Sequence, residues 1–535
     1  MSKATSSLLA LLLLSAGLAR AEAPALVLRA RPLDGLISDM RRLFQLAGRE
    51  DEGNELEKLM QSRTGPKGLE GVDTKKPFGL TAELHPRLTE SKVWLLLPVS
   101  DEKVFLKFLE SVDMKARLAK DGCYTLEIEG LPAFNTAVLR FAHGYMYATL
   151  KLSDSATIPP ADKLPKPEDL LGKSDAALSL SVHGPGIPEP TRKLLVSFLG
   201  LQLGAAKDDA PKDESPAQKV AREAALDEMA ARVKSLLEEG ETLRLELHLT
   251  RGKEEELALT ASLSGKKGAS LARDIAALGK LEGVLPGGKD AVMSGSAHLA
   301  LPERLRKPFD GLVEEAVKSA LDMLQAHERE VLEPLVKSVS PTFRAGMFDG
   351  GMYLTGPGKG GKYAFVAGAR IQGGVKIEEA IRAALKVTPG MGKKDITLDA
   401  ARAGDVKIHA IRQRETDEAT RDLLGDGPMY LALRDDAALI ALGEGGLEAL
   451  KKAITAKPAP APVLHLEASL EKLAPLLAKQ EGLKGAEAVA KEAFKGGGGQ
   501  VRLLVTGGER LEARLSVQAA ALKFASLLER QGKGK

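Results

Sequence analysis

Gly356-Pro357-Gly358-Lys359-Gly360-Gly361-Lys362 carries the Gly-x4-Gly-Lys spacing with which nucleotide-binding loops cradle phosphates. Such a cradle needs a Ser or Thr next in line to hold magnesium, and a helix whose first amides face the phosphates. Here Tyr363 follows, and Tyr363 to Ile371 alternates like a strand. The spacing therefore predicts a glycine-rich hairpin turn. A second glycine run, Gly496 to Gly499, follows a helical stretch and precedes the strand pattern Val501 to Val505, where a helix stop and a turn belong.

The eight histidines stand singly, without His-x3-His or His-Glu-x2-His spacing, so local sequence predicts no metal site and no cofactor. Their positions within strands are more informative. His183 shares a strand face with Ser179 and Ser181, His248 with Arg244 and Glu246, His298 with Ser294 and Ser296, and His465 with Glu467. The opposite faces carry Leu, Val and Ala, as in an antiparallel sheet with one face against helices and the other toward water. Two readings follow: a solvated face, or a polar binding surface whose affinity varies with pH through the imidazoles.

Catalytic signatures are absent from the local sequence. No Gly-x-Ser-x-Gly elbow occurs, and Asp208-Asp209 and Asp435-Asp436 fall in loops or turns. Cys123 is the only cysteine, which forbids an intrachain disulfide, and alternation groups it with the polar Thr125 and Glu127. With no neighbouring His or basic cluster it does not read as a nucleophile. Charge nearly cancels, 76 Lys plus Arg against 73 Asp plus Glu, and aromatics are 4% of residues with Trp94 the only tryptophan. A nucleic-acid-binding face needs clustered basic residues, and single-strand binding adds stacking platforms; this composition points to neither.

The elements that would position these residues form one pattern four times: a strand, a long helical region, a two-stranded hairpin and a shorter helix. The copies begin at Leu26, Ala176, Val292 and Val463. Strand-rich inserts lie between copies one and two and between copies three and four. Pro188-Glu189-Pro190-Thr191-Arg192-Lys193 matches Pro302-Glu303-Arg304-Leu305-Arg306-Lys307, and Gly144-Tyr145-Met146-Tyr147 answers Gly427-Pro428-Met429-Tyr430. The fold expected is an internally duplicated α+β protein with antiparallel sheets packed by helices, in halves 22–285 and 286–535. Each repeat reads as a β-α-β-β-α unit, either ferredoxin-like or with a long helix or helix hairpin lying in a curved sheet. Lys207 to Pro216 reads as a flexible charged connection, and Lys457 to Pro462 as a stiff Ala-Pro spacer.

Residues 1–21 read as a secretory signal peptide, with Lys3, an apolar run from Leu8 to Leu18, and Ala19-Arg20-Ala21 at the cleavage positions. A helix of about 11 residues reaches roughly 17 Å, short of the roughly 30 Å hydrocarbon core. No later stretch has eighteen uninterrupted apolar residues, so the mature chain is expected to be exported and soluble, without a transmembrane segment.

Ser62 to Asp73, followed by Lys76-Pro77-Phe78-Gly79-Leu80 and by Leu95 to Lys103, resembles a family of uncharacterised exported proteins of planctomycete-type bacteria, similar to a broader domain-of-unknown-function group. The resemblance covers residues 1 to about 155. It implies an envelope location and supplies no catalytic residue, ligand or partner. Together these readings predict a non-enzymatic envelope scaffold or binding protein with an unknown partner or ligand. The alternatives are a carrier of lipid or another apolar ligand in a groove between helix and curved sheet, and a hydrolase with a dispersed site.

Overall fold

The computed structural model describes residues 24–64, 69–87, 90–127, 136–150, 158–209, 211, 213–252, 255–285, 287–288, 290–358, 360–387, 395–412, 418–479, 483 and 485–533. The leader expected at residues 1–21 lies outside them. The first unit is β1 (Leu26–Ala30), helices α1 (Leu33–Leu46) and α2 (Glu50–Thr64), hairpin β2 (Phe78–Glu83) and β3 (Lys92–Pro98), and helix α3 (Glu102–Ser111). Strands β4 (Ala116–Leu118), β5 (Tyr124–Glu127), β6 (Thr136–Ala142) and β7 (Tyr145–Leu150) follow, then the short helix α4 (Pro167–Leu171). The second unit is β8 (Leu178–His183), α5 (Glu189–Asp208), α6 (Pro216–Glu239), β9 (Gly240–Thr250), β10 (Glu256–Gly265) and α7 (Ser270–Leu278).

After the short β11 (Glu282–Gly283), the third unit is β12 (Met293–Ala300), α8 (Glu303–Asp322), α9 (Ala326–Arg344), β13 (Met347–Thr355), β14 (Ala364–Arg370) and α10 (Gly374–Val387). Its insert is β15 (Ile396–Ala403), β16 (Val406–Ile411), α11 (Glu418–Leu424), β17 (Met429–Leu433), β18 (Ala437–Gly443), α12 (Gly446–Thr455) and β19 (Ala459–Pro460). The fourth unit is β20 (Leu464–Ser469), α13 (Leu470–Leu477), α14 (Ala486–Ala493), β21 (Gln500–Thr506), β22 (Leu511–Gln518) and α15 (Ala519–Lys533). The Ala-Pro spacer is extended as expected, and β19 within it pairs with β11.

Apart from β11 and β19, the strands form one twenty-stranded antiparallel sheet. The pairings run β4-β5-β6-β7-β3-β2-β1-β8-β9-β10, then β22-β21-β20-β12-β13-β14-β18-β17-β16-β15. Read from its far end inward, the second half retraces the first strand for strand, and the halves meet where β10 pairs with its counterpart β22. In each unit a pair of helices carries the chain back to an antiparallel neighbour of the strand it left, so the ferredoxin-like alternative, which needs a parallel pair, does not hold. In three units Pro32, Pro188 or Pro302 caps the first helix in an extended conformation, the φ that proline already holds. In this order β7 corresponds to β18 and β17 to β6, so the Tyr-Met-Tyr likeness to Met429-Tyr430 joins non-equivalent strands and is coincidental.

The sheet has one apolar and one polar face, set by alternation, but at its two ends both faces are covered. At the first end Phe105 and Leu109 of α3 pack on Leu139 and Met146, while Leu170 and Leu171 of α4 close over Trp94, Leu96 and Tyr147 on the other side. At the second end Leu450 and Ile454 of α12 pack on Val366, Ile408 and Leu439. This corrects the reading of Cys123, which is buried in the Trp94 and Tyr147 cluster even though its strand neighbours are polar. Arg140 donates to its Sγ at 3.0 Å, but burial dominates and pushes the thiol up, so it is not activated as a thiolate. Among the described residues no helix is long and apolar enough to cross a membrane.

Candidate functional site

The apolar face of the central strands is built by one register row. Leu247 pairs with Leu259, Leu259 with Leu515, Leu515 with Leu503, and Leu503 with Leu466, across β9, β10, β22, β21 and β20. Leucines on the buried side of a sheet are normally covered by the helices that follow them. Three of the five are not: Leu259 is 50% exposed, Leu515 43% and Leu466 44%, as is the neighbouring Leu245 at 40%, while Leu247 and Leu503 are partly covered.

Topology explains the gap. Strand direction alternates, so the helix pairs after β8 and β12 leave from one end of the strands and those after β1 and β20 leave from the other. Helices of each set then join across intervening strands. Ser215, which caps α6, donates to Glu315 of α8 at 2.7 Å, and Ser526 of α15 donates to the Ala47 carbonyl after α1. The mid-strand leucines lie on the stretch of sheet between the two ends from which these helix sets leave. The row continues to Leu178 of β8 at one end and, past Gly295 of β12, to Met352 of β13 at the other, both exposed, so eight strands at roughly 4.8 Å spacing make this stripe about 34 Å long.

A cavity of about 540 Å³ opens between α8 and α9, lined by apolar side chains including Phe309, Val313, Val317, Leu335 and Phe343, with Ser340 its one polar residue. Phe309 meets Phe348 of β13 edge-on at 5.8 Å, and Phe348 lies on the sheet's apolar face. The volume falls in the range of small-molecule pockets.

The polar face gathers the four histidines singled out by alternation, His183, His248, His298 and His465, on strands β8, β9, β12 and β20. They do not converge. His298 is 4% exposed, with Nδ1 2.7 Å from Asp349 Oδ1, and Arg370 holds the other Asp349 oxygen at 2.6 Å. This buried set ties β12 to β13 and β14 and cannot touch a large ligand, so His298 is not part of a solvated face. His465 Nε2 lies 3.2 Å from Glu467, whose carboxyl is held below its usual range chiefly by Arg502. Burial, with Arg244 nearby, pushes His183 below the ordinary imidazole value.

The Glu467 to Arg502 pair makes a pH prediction. A carboxylate whose folded pKa is depressed contributes stability above its unfolded value, about 4.3, and loses it as pH falls through the folded one. Because the pair is partly exposed, melting temperatures of the wild type and of Arg502→Gln should differ by only roughly 1 °C at neutral pH and draw together as pH falls below the unfolded value through the folded one. A gap that stays the same at every pH from neutral down to acid unfolding would remove this account.

Two clusters that resemble reactive centres are structural. Glu378, Asp399 and His409 bring ligand atoms within 4.8 Å of one another. Arg382 reaches both carboxylates, however, and Lys407 lies 3.6 Å from Glu378, so two cations already balance two anions. His409 Nδ1 accepts from the Asp399 amide at 3.2 Å, which leaves the neutral ring's proton on Nε2, the nitrogen facing Glu378 at 3.6 Å. The network pins α10 to β15 and β16. The Gly356 to Lys362 loop is the hairpin turn its sequence predicts, closed by Gly358 N donating to the Lys362 carbonyl at 2.7 Å. Its Lys362 ammonium donates to the Arg421 and Asp422 carbonyls.

No family model, curated protein or solved structure matches this chain. The site therefore has to be read from its own chemistry. Sequence reasoning missed the leucine stripe as a site, because alternation marks those residues as apolar and carries no information on whether a helix reaches them.

Proposed function

We propose that this protein is an exported carrier that binds an acyl chain of a lipid or similar amphiphile along the uncovered leucine stripe between the two helix sets. The observation that carries the reading is the half-exposed row Leu259, Leu515 and Leu466 on the sheet's apolar face, continued by the exposed Leu178 and Met352 of the same register row. Its length of about 34 Å exceeds the roughly 15 Å that half of a 30 Å hydrocarbon core gives one chain, so an acyl chain can lie wholly on it. At about 0.8 kcal/mol per buried methylene, roughly ten methylenes would contribute about 8 kcal/mol before the cost of association. The α8–α9 cavity adds apolar volume of the same character. This narrows the expected binding protein to one class of ligand, whereas a purely structural scaffold gives no reason to leave these leucines uncovered.

Native mass spectrometry of the full chain purified without detergent, followed by organic extraction, tests the proposal. Co-purified lipid, or saturable uptake of a fluorescent fatty acid by the delipidated protein, is the expected result. Delipidated protein that takes up no acyl ligand would end the carrier reading.

A further inference from the structure

The cavity between α8 and α9 is joined to the leucine stripe by a second apolar track. The stripe runs across the strands, and at Met352 this track turns off it along β13. Alternation puts Phe348, Gly350 and Met352 on one face of β13, and Leu299 of β12 stands opposite Phe348. Met352, Phe348 and Leu299 are all exposed. Between Met352 and Phe348 the register partners of Gly350 are Ala297 and Ala369, so nothing larger than a methyl group rises from the sheet there and the floor is low. Four residues along the strand make this track about 13 Å long. At its end Phe309 of α8 meets Phe348 edge-on, and Phe309 is itself part of the cavity wall.

The helices leave this space because of the side chains they turn toward it. On α8 the lining residues Phe309, Val313, Ala316 and Ala320 follow helical spacing, and the last two offer only methyl groups. Leu335, Val339 and Phe343 of α9 line the cavity without filling it. An unfilled volume of about 540 Å³ forgoes the dispersion contacts that its walls would make with an occupant. Ser340 is the one polar residue of the lining, so a headgroup brought inside would lose its water and find almost nothing to pair with. The occupant that fits is apolar along its whole length.

A single acyl chain cannot use both tracks. Reaching roughly 15 Å, it covers less than half of a stripe of about 34 Å and leaves the cavity empty.

We propose, resting on the carrier reading, that the ligand is a two-chain lipid. One chain lies on the leucine stripe, the other runs along β13 into the α8–α9 cavity, and the backbone joining them sits over Gly350 with its headgroup turned to water.

Isothermal titration of the delipidated full chain with diheptanoyl phosphatidylcholine and with its single-chain lyso form, both below the concentrations at which they form micelles, tests the proposal. The two share a headgroup, so the difference between them reads the second chain alone. The two-chain lipid is expected to bind at least tenfold more tightly, since burying two further methylenes already amounts to about tenfold. Ala316→Trp should bring its affinity down to that of the lyso form, whose own affinity stays within about twofold. Ala316 is exposed on α8, so the indole can enter the cavity without crowding a core. If circular dichroism shows that this variant does not fold, Ala320→Phe, one turn further along the same lining, takes its place. Equal affinity for the two lipids in the wild type, or a two-chain advantage that survives Ala316→Trp, would overturn the proposal and leave the stripe as a single-chain site. Failure of both lipids and of the fluorescent fatty acid to bind would instead end the carrier reading, and the two-chain ligand with it.

Discussion

Replacing Leu259 and Leu515 together by aspartate is expected to abolish acyl-ligand uptake, with a loss of affinity of about 100-fold or more, while the protein remains folded. The two residues are register partners across the junction of the halves and sit at the centre of the stripe. Each is about half exposed in the free protein, so folding gains little from it and loses little by its replacement. A bound chain would cover both positions, and the cost of stripping water from two carboxylates without partners far exceeds the roughly 2.7 kcal/mol that 100-fold represents. Ser262→Asp is the matched control, since Ser262 lies on β10 but faces the other way, opposite Arg244. Titration of delipidated protein with a fluorescent fatty acid reads both, with circular dichroism checking the fold. Undiminished binding by the double variant would place the ligand elsewhere or nowhere.

Why the sequence reveals the stripe's residues but not its exposure follows from the reach of each signal. Period-two alternation is local, so Leu178, Leu180 and Val182 separate from Ser179, Ser181 and His183 by inspection, and the structure puts them on opposite faces of β8. Helix-period stretches were equally legible, and the long first helical region of each unit resolves into two helices, as at α5 and α6. Pairing is different. That β1 lies between β2 and β8, or that β10 meets β22 some 250 residues later, depends on contacts no local window contains. Cys123 and His298 are buried against what alternation predicts for the same reason. Their strands alternate like solvated ones, but the segment ending in α4 covers the first, and β11 lies against the second, with Gly283 at the His298 ring. Arg29 did carry a signal, as the lone charge within the apolar strand Leu26 to Ala30. That its Nε and Nη1 make no hydrogen bond among the described residues could be seen only once Ser179 and Gly79 were placed beside it.

The retraced strand order makes its own prediction for the front half, residues 24–285, produced alone: a closed dimer with twice the mass of the half. In the whole chain β10 finds β22 through eight register pairs, from Glu256 with Gln518 to Leu263 with Leu511, and β22 is the strand that occupies the place of β10 in the second half. Cutting the chain leaves β10 as a bare edge, which in water is a template for further pairing. A second front half offers the same edge in the antiparallel sense already used at β10–β22, so two copies satisfy each other through a two-fold and stop there. The Trp94 and Phe105 clusters lie wholly within residues 72–171, so the front half keeps its own buried core at that end. Light scattering coupled to size exclusion measures the mass. Proline at Thr260 and, in a separate variant, at Ala261 supplies the decisive comparison. Amides of consecutive strand residues point to opposite neighbours, so one of the two must remove a donor that faces the dimer partner and break the pairing. A monodisperse monomer would show that β10 is masked within its own half. Open-ended aggregation in place of a dimer would show that β10 accepts β22 for reasons particular to β22, and that the common strand order does not extend to a common edge.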